Sequence, residues 1–217
     1  MDLSLLGAYF PQLLAGAITT IEVSFGALLL ATLLGFVVGL LRTLKSRWLV
    51  LTTSAYVEVL RSVPTLVILF FTYYAVPVVL RLDIPSVAAA VLALGVAGSA
   101  YMAEIVRGGV ESVGHTQWEA AYSLGMRYPD VVRYVILPQA LRVSLPPAVS
   151  LYVALIKDSS LVLLVGVVEL TAVGMNIRGI VHGQGTLGIF LAMAIMYFVI
   201  CYSVALAGQW LERRIRI

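Results

Sequence analysis

Long apolar runs divide this chain, and the charged residues collect in the short stretches between them. A helix rising about 1.5 Å per residue needs about 20 apolar residues to cross a hydrocarbon core of about 30 Å. Five runs come near that length: 13–41, 64–80 ("PTLVILFFTYYAVPVVL"), 84–106 ("IPSVAAAVLALGVAGSAYMAEIV"), 143–168 and 186–210 ("TLGIFLAMAIMYFVICYSVALAGQW"). None keeps a period-two alternation, and all exceed the roughly 9–11 residues of a barrel strand. The pattern predicts an all-α integral membrane protein with five transmembrane helices in one domain, 1–217. Composition agrees. Of 217 residues, 61% are hydrophobic and 12% charged, against about 25% charged in a soluble domain, which excludes a soluble globular protein.

The net charge of +3 says less than the placement of the charges. Arg42, Lys45 and Arg47 lie in the first connection; Arg107, Arg127, Arg133 and Arg142 in the third; Arg213, Arg214 and Arg216 in the tail. The second connection has only Arg81 and the fourth only Arg178. Basic residues favour the cytoplasmic side, so the N-terminus is expected outside and the C-terminus in the cytoplasm. Five crossings require opposite termini, so count and charge agree. The N-terminus "MDLSLLGAYFPQ" lacks a basic n-region, and no cleavable signal peptide is expected.

Two charges break the pattern. Lys157 and Asp158 lie side by side in "ALIKDSSLVLLVGVV", with no other charge in 143–156 or 159–168. Intramembrane charges face a water-filled pathway or pair with one another. Neighbours on a helix point about 100° apart, so these two do not face each other. Either they line or gate a pathway, or they pair with charges on other spans such as Glu104 or Arg107. The run 143–168 would reach about 39 Å as one helix, so a break is expected, with Ser159 and Ser160 satisfying freed backbone groups. Between spans one and two, "SAYVEVLRSVP" sets Glu58 and Arg61 three apart. It is either an interfacial turn whose charges meet water or each other, or an elbow that positions span two at Pro64. Glu22 is expected near the outer end of span one. Gly7, Gly16, Gly26, Gly35 and Gly39 are expected at helix-packing positions.

The third connection, 107–142, is the longest. Gln117 to Leu124 is built from helix formers, with Trp118, Ala121 and Leu124 near one face, and Gly125 is a C-cap signal. A second helical pattern places Tyr128, Val131, Val132, Val135 and Ile136 together and is expected to stop at Pro138. These two short helices would form a cytoplasmic platform. The segment "EAAYSLGMRYPDVVRYVILPQA" resembles the EAA motif of ABC importer permeases, with Glu119, Ala120, Ala121, Gly125, Ile136, Leu137 and Pro138 on the matching positions. "YVEVLRSVPTLVILFF", "GSAYMAEIVRGGVESV", "LIKDSSLV" and "LERR" resemble the polar amino-acid permeases of the histidine, glutamine and arginine type, and the likeness runs over 20–214.

The resemblance implies the type I importer architecture in a bacterial inner or plasma membrane. It implies two ABC ATPase subunits docked on the EAA helix, a second permease subunit (a paralogue rather than a second copy) and an extracytoplasmic solute-binding protein. It implies that Glu119, Ala120, Ala121, Gly125, Leu137 and Pro138 serve ATPase coupling. It also implies that Ser99, Ser150, Lys157, Asp158, Ser159 and Ser160 lie along the substrate pathway. The chain has no G-x-x-x-x-G-K-[ST] loop, so it is expected to be no enzyme and to carry no cofactor, ATP and Mg belonging to the partner. Where the family places an Asn in span three and an Asn-Glu pair in span four, this chain has Ala97, Ser150 and Leu151. The solute is therefore a different one, or a partner subunit holds it. His115, His182 and Cys201 show no metal spacing. An ion-coupled secondary transporter would need its own coupling-ion site and usually an internal repeat, and a non-transport assembly protein would not need the platform.

The orientation is testable. A cytoplasmic reporter fused after Arg216 is expected to be active, and the same reporter at the N-terminus inactive. The reverse pattern would put 107–142 outside the cell.

Overall fold

The computed structural model describes residues 3–44, 46–183 and 185–215. Lys45 and Arg216, counted above among the inward basic residues, lie outside the described residues. Among the described residues every regular element is helical: α1 (Leu3–Leu41), α2 (Arg47–Ser62), α3 (Thr65–Leu80), α4 (Ser86–Glu111), α5 (His115–Ser123), α6 (Tyr128–Val165), α7 (Leu170–Ile180) and α8 (Thr186–Ile215). Four helices are long and apolar enough to cross a membrane, namely α1 from Gly7, α4, α6 and α8. The helices α2 and α3 pass the same test only as a pair, bent by 103°, which brings the candidate spans to five if the pair counts as one.

That bend settles the two readings of "SAYVEVLRSVP" in favour of the elbow. Val63 (φ −96°, ψ 132°) and Pro64 (φ −56°, ψ 136°) are extended, because the proline ring crowds the residue before it out of the helical region. Arg61 reaches Glu104 on α4 rather than Glu58. Two boundaries also move. α1 starts at Leu3 rather than 13, so Glu22 sits exposed at mid-helix and not near its outer end. α7 fills the fourth connection, where no helix was expected.

Pro138 does not stop its helix. The platform's second helix and span four form one rod of 38 residues, α6. A proline lacks an N–H and presses on the carbonyl four residues back. Here a π turn, Val132–Ile136, ends two residues before Pro138 and gives the ring room. The same arrangement recurs in α3, where the π turn Phe71–Ala75 precedes Pro77.

α4 is the central helix. Its buried positions are mostly small, including Ala89, Ala90, Ala93, Gly95, Ala97, Gly98, Ala100 and Ala103. Lipid supplies no hydrophobic drive between helices, so close packing of small residues must hold them. α1 meets α4 through glycines. A Cβ at Gly35 would lie 2.7 Å from the Ser99 carbonyl oxygen, and one at Gly39 would lie 2.7 Å from that of Ala103. Gly16 and Gly26 also pack, against Leu170 and Val91, but Gly7 faces open space and has no packing role.

Gly39→Val is expected to push α1 off α4 and cost about 1–3 kcal/mol or more, since backbone cannot yield as a side chain can. Gly7→Val should cost a few tenths at most. Thermal unfolding of the detergent-solubilised protein measures both.

Candidate functional site

Asp158 and Lys157 open into different spaces. Asp158 is half-buried and lines a cavity of about 220 Å³ with Thr65 of α3, Ala97, Gly98 and Tyr101 of α4, and Leu151, Ala154 and Leu155 of its own helix. Lys157 is exposed in a groove of about 460 Å³ between α6 and α8, together with Ser150, Gln209 and Glu212. The alternative of ion pairs to Glu104 or Arg107 fails: Glu104 takes Arg42, Arg61 and Arg107, and Arg107 bridges onward to Glu111. The cavity combines one carboxylate with two hydroxyl groups in an otherwise apolar wall. That set suits an ammonium group far better than an anion.

The other pathway candidates do not meet there. Ser99 is fully buried and turns to α2, with its Oγ 2.6 Å from the Tyr56 hydroxyl. Ser159 is buried and donates to the Ile156 carbonyl at 2.7 Å, and Ser160 donates to that of Lys157 at 2.8 Å. Their hydroxyls serve the backbone where α6 tightens into the 3-10 turn Ser159–Val165. The expected break is thus a change of helical pitch. The rod ends at Gly166, whose φ of +83° suits glycine.

At the other end of α6 lies the platform. Ala121 is 3% exposed and packs with Trp118 on Val113, Val131, Ile136 and Ala140. Its small size lets α5 lie close against these residues. Glu119 and Ala120, on the opposite side of α5, are exposed. Leu124, expected beside Trp118, is 82% exposed. Gly125 ends α5 in the left-handed region (φ +77°), as a C-cap glycine does. Ile136 is buried, Leu137 partly buried and Pro138 exposed. The platform therefore presents a charge, a small residue and exposed apolar groups on a helix pinned from behind.

The model of the family of binding-protein-dependent transport system inner membrane components matches residues 31–217. The chain belongs to this family. The probable glutamine ABC transporter permease protein GlnP of Bacillus subtilis (strain 168) is 37% identical over 219 residues, covering 96% of this chain and 98% of that one. The glutamine transport system permease protein GlnP of Escherichia coli (strain K12) is 35% identical over 218 residues, covering 100% and 98%. The fold matches the crystal structure of an amino acid ABC transporter with histidines at a TM-score of 0.90, with 32% identity and 99% of each chain covered. This permease is a multi-pass inner-membrane transport subunit with the type I importer fold.

Sequence reasoning missed one polar centre of the permease entirely. Glu169 is fully buried, and it caps α7 by accepting from the backbone N–H groups of Thr171 (2.9 Å) and Ala172 (2.8 Å). It also accepts from the Tyr197 hydroxyl of α8 (2.7 Å) and the Thr20 hydroxyl of α1 (3.3 Å). One carboxylate thus ties three helices together, with both its oxygens hydrogen-bonded. A signal was present, since an acid directly before the helix formers Leu170, Thr171 and Ala172 has the pattern of an N-cap.

Glu169→Ala would strand the N–H groups of Thr171 and Ala172 in the interior, while the Thr20 hydroxyl keeps the Gly16 carbonyl and the Tyr197 hydroxyl keeps Thr171. A loss of about 2–4 kcal/mol is expected, read as a lower unfolding temperature in detergent. Thr19→Ala, on the outward side of α1, should change little.

Proposed function

We propose that the permease is one of two membrane subunits of an ATP-driven amino-acid importer. Two ABC ATPase subunits lie below it, and an extracytoplasmic solute-binding protein feeds it. The observation that carries this is the continuity of α6: one unbroken helix bears the platform contacts at Val131 and Ile136 and the cavity carboxylate Asp158. A push on α5 by closing ATPases would reach the cavity wall along this one helix, through its π turn and past Pro146 and Pro147. ATP and Mg belong to the partner and supply the energy of that push. Glu119, Ala120 and Gly125 are the proposed ATPase contacts, with Leu124 and Tyr128 adding exposed apolar area beside them. Leu137 and Pro138 act from behind them, in the turn that joins platform to span.

The relatives' names, which specify glutamine and amino acids, support an amino-acid solute. Asp158 would take the α-ammonium. Ala97 and Leu151 offer nothing to a charged side chain, and an unpaired buried charge costs several kcal/mol. A second permease, a paralogue, would therefore hold most of the solute contacts. Lys157 and Ser150 would then lie on the shared wall or act in gating.

The test uses the complex reconstituted with its ATPase and binding protein. Ala120→Trp and Gly125→Val should each lower solute-stimulated ATP hydrolysis about tenfold, the effect of about 1.4 kcal/mol of lost docking, while the permease stays in the membrane. Unchanged hydrolysis and unchanged ATPase recovery would reject the platform assignment. Leu151→Ala should shift solute affinity less than about threefold. Full uptake by a complex holding only this permease would move the solute site into this chain.

A further inference from the structure

Three guanidinium groups converge on one carboxylate where α1, α2 and α4 meet. Arg107 occupies Oε2 of Glu104 with two N–H bonds, from Nε at 3.0 Å and Nη2 at 2.8 Å. Arg42 occupies Oε1 at 2.5 Å. Arg61 comes third, sharing Oε1 at 3.4 Å. The group holds three positive charges against two negative ones, Glu104 and Glu111. The excess falls on the loosest member. Arg42 is 9% exposed and Arg61 44% exposed, so Arg61 can return to water and Arg42 cannot.

The position of Arg61 gives that looseness a consequence. α2 is pinned earlier in its length by buried Val57 against Ala100 and Ala103, and by the Tyr56–Ser99 hydrogen bond. Its last turn packs through Leu60 on the same apolar clusters, and its polar tie to α4 is Arg61, which pairs with Glu104 and stacks 5.4 Å from the centroid of the Tyr101 ring. Tyr101 lines the Asp158 cavity, and so does Thr65, the first residue after the elbow. One cavity residue thus touches this loosely held side chain, and the other follows it four residues on, across the elbow. On the far side of the hub, Arg107 passes to Glu111 at 2.6 Å, the last residue of α4 before the platform.

We propose that Arg61 is a positioning residue that latches the elbow against the cavity, and that its release from Glu104 opens the cavity toward the platform side. Arg42 and Arg107 already hold both oxygens of Glu104, so the carboxylate stays paired whether Arg61 is bound or solvated. Such an element can be biased from either end. The idea rests on the cavity being the solute's route, yet its test does not require transport.

The readout is thiol accessibility. Thr65→Cys is placed in a Cys201→Ala background, and cytoplasmic-side-out membrane vesicles are treated with a membrane-impermeant maleimide. Arg61→Ala and Arg61→Gln should each raise the labelling rate about tenfold, within the usual range of coupling between two states. Arg61→Lys, which keeps the charge near Glu104, should return it toward the parent rate. A rate unchanged in both neutral variants, or a lysine variant no slower than the alanine one, would overturn the proposal. So would labelling of a cysteine at the buried position Ala90 in Arg61→Ala, since that would mean general loosening. If the labelling follows expectation but the assembled complex shows no ATP-driven uptake, the importer reading fails and the latch stands.

Discussion

The backbones of α1 and α4 come so close that no residue larger than glycine fits between them at Gly35 and Gly39. The rest of the permease depends on that seam. Apolar side chains gain little by leaving lipid for protein, so helices in a bilayer associate through close contact and polar bonds. α4 has small residues on several sides, and α1, α2, α3 and α6 all pack on it. A thicker α4 would hold the Glu104 arginines farther apart and would fill the cavity wall at Ala97 and Gly98. The same residues that let the bundle close also leave the space in it.

Charge inside the bundle is handled in three ways, and each has a different effect. Glu169 is buried with both carboxylate oxygens hydrogen-bonded, so it fixes α7 to α1 and α8. Glu104 is over-subscribed by arginines, and its loosest contact is the one on the elbow. Asp158 and Lys157 form no ion pair among the described residues and face a cavity and a groove instead. A satisfied charge gives rigidity, a shared one gives a choice of arrangement, and an open one is left for a ligand or a neighbouring chain.

The two π turns carry a related lesson about rigidity. A proline at position 138 would ordinarily separate platform from span. The widened turn Val132–Ile136 absorbs it, and α6 remains one rod from Tyr128 to Val165. Force applied near α5 therefore has a direct mechanical route to residue 158. In the importer proposed above, where a partner hydrolyses ATP, such a route would carry the push to the cavity.

The order of apolar runs by itself determined the helical class, the four to five candidate spans and the special place of residues 157 and 158. Membrane length and backbone hydrogen bonding leave so few alternatives that composition along the chain suffices. The EAA segment likewise disclosed a platform, because its glycine and its helix formers are local signals. What only the tertiary structure decided were relations across distance. Ala121 proved to face inward, Ser99 to bond Tyr56, and Glu104 to gather arginines from two other helices. Pro138 was read as a stop because the rule for proline is local, whereas the π turn that accommodates it is a property of the packed helix. Glu169 looked like the end of an apolar run until Thr20 and Tyr197, 149 and 28 residues away in the chain, were brought to its carboxylate. Period and length are written in neighbouring residues; the partner of a buried charge is chosen by the fold.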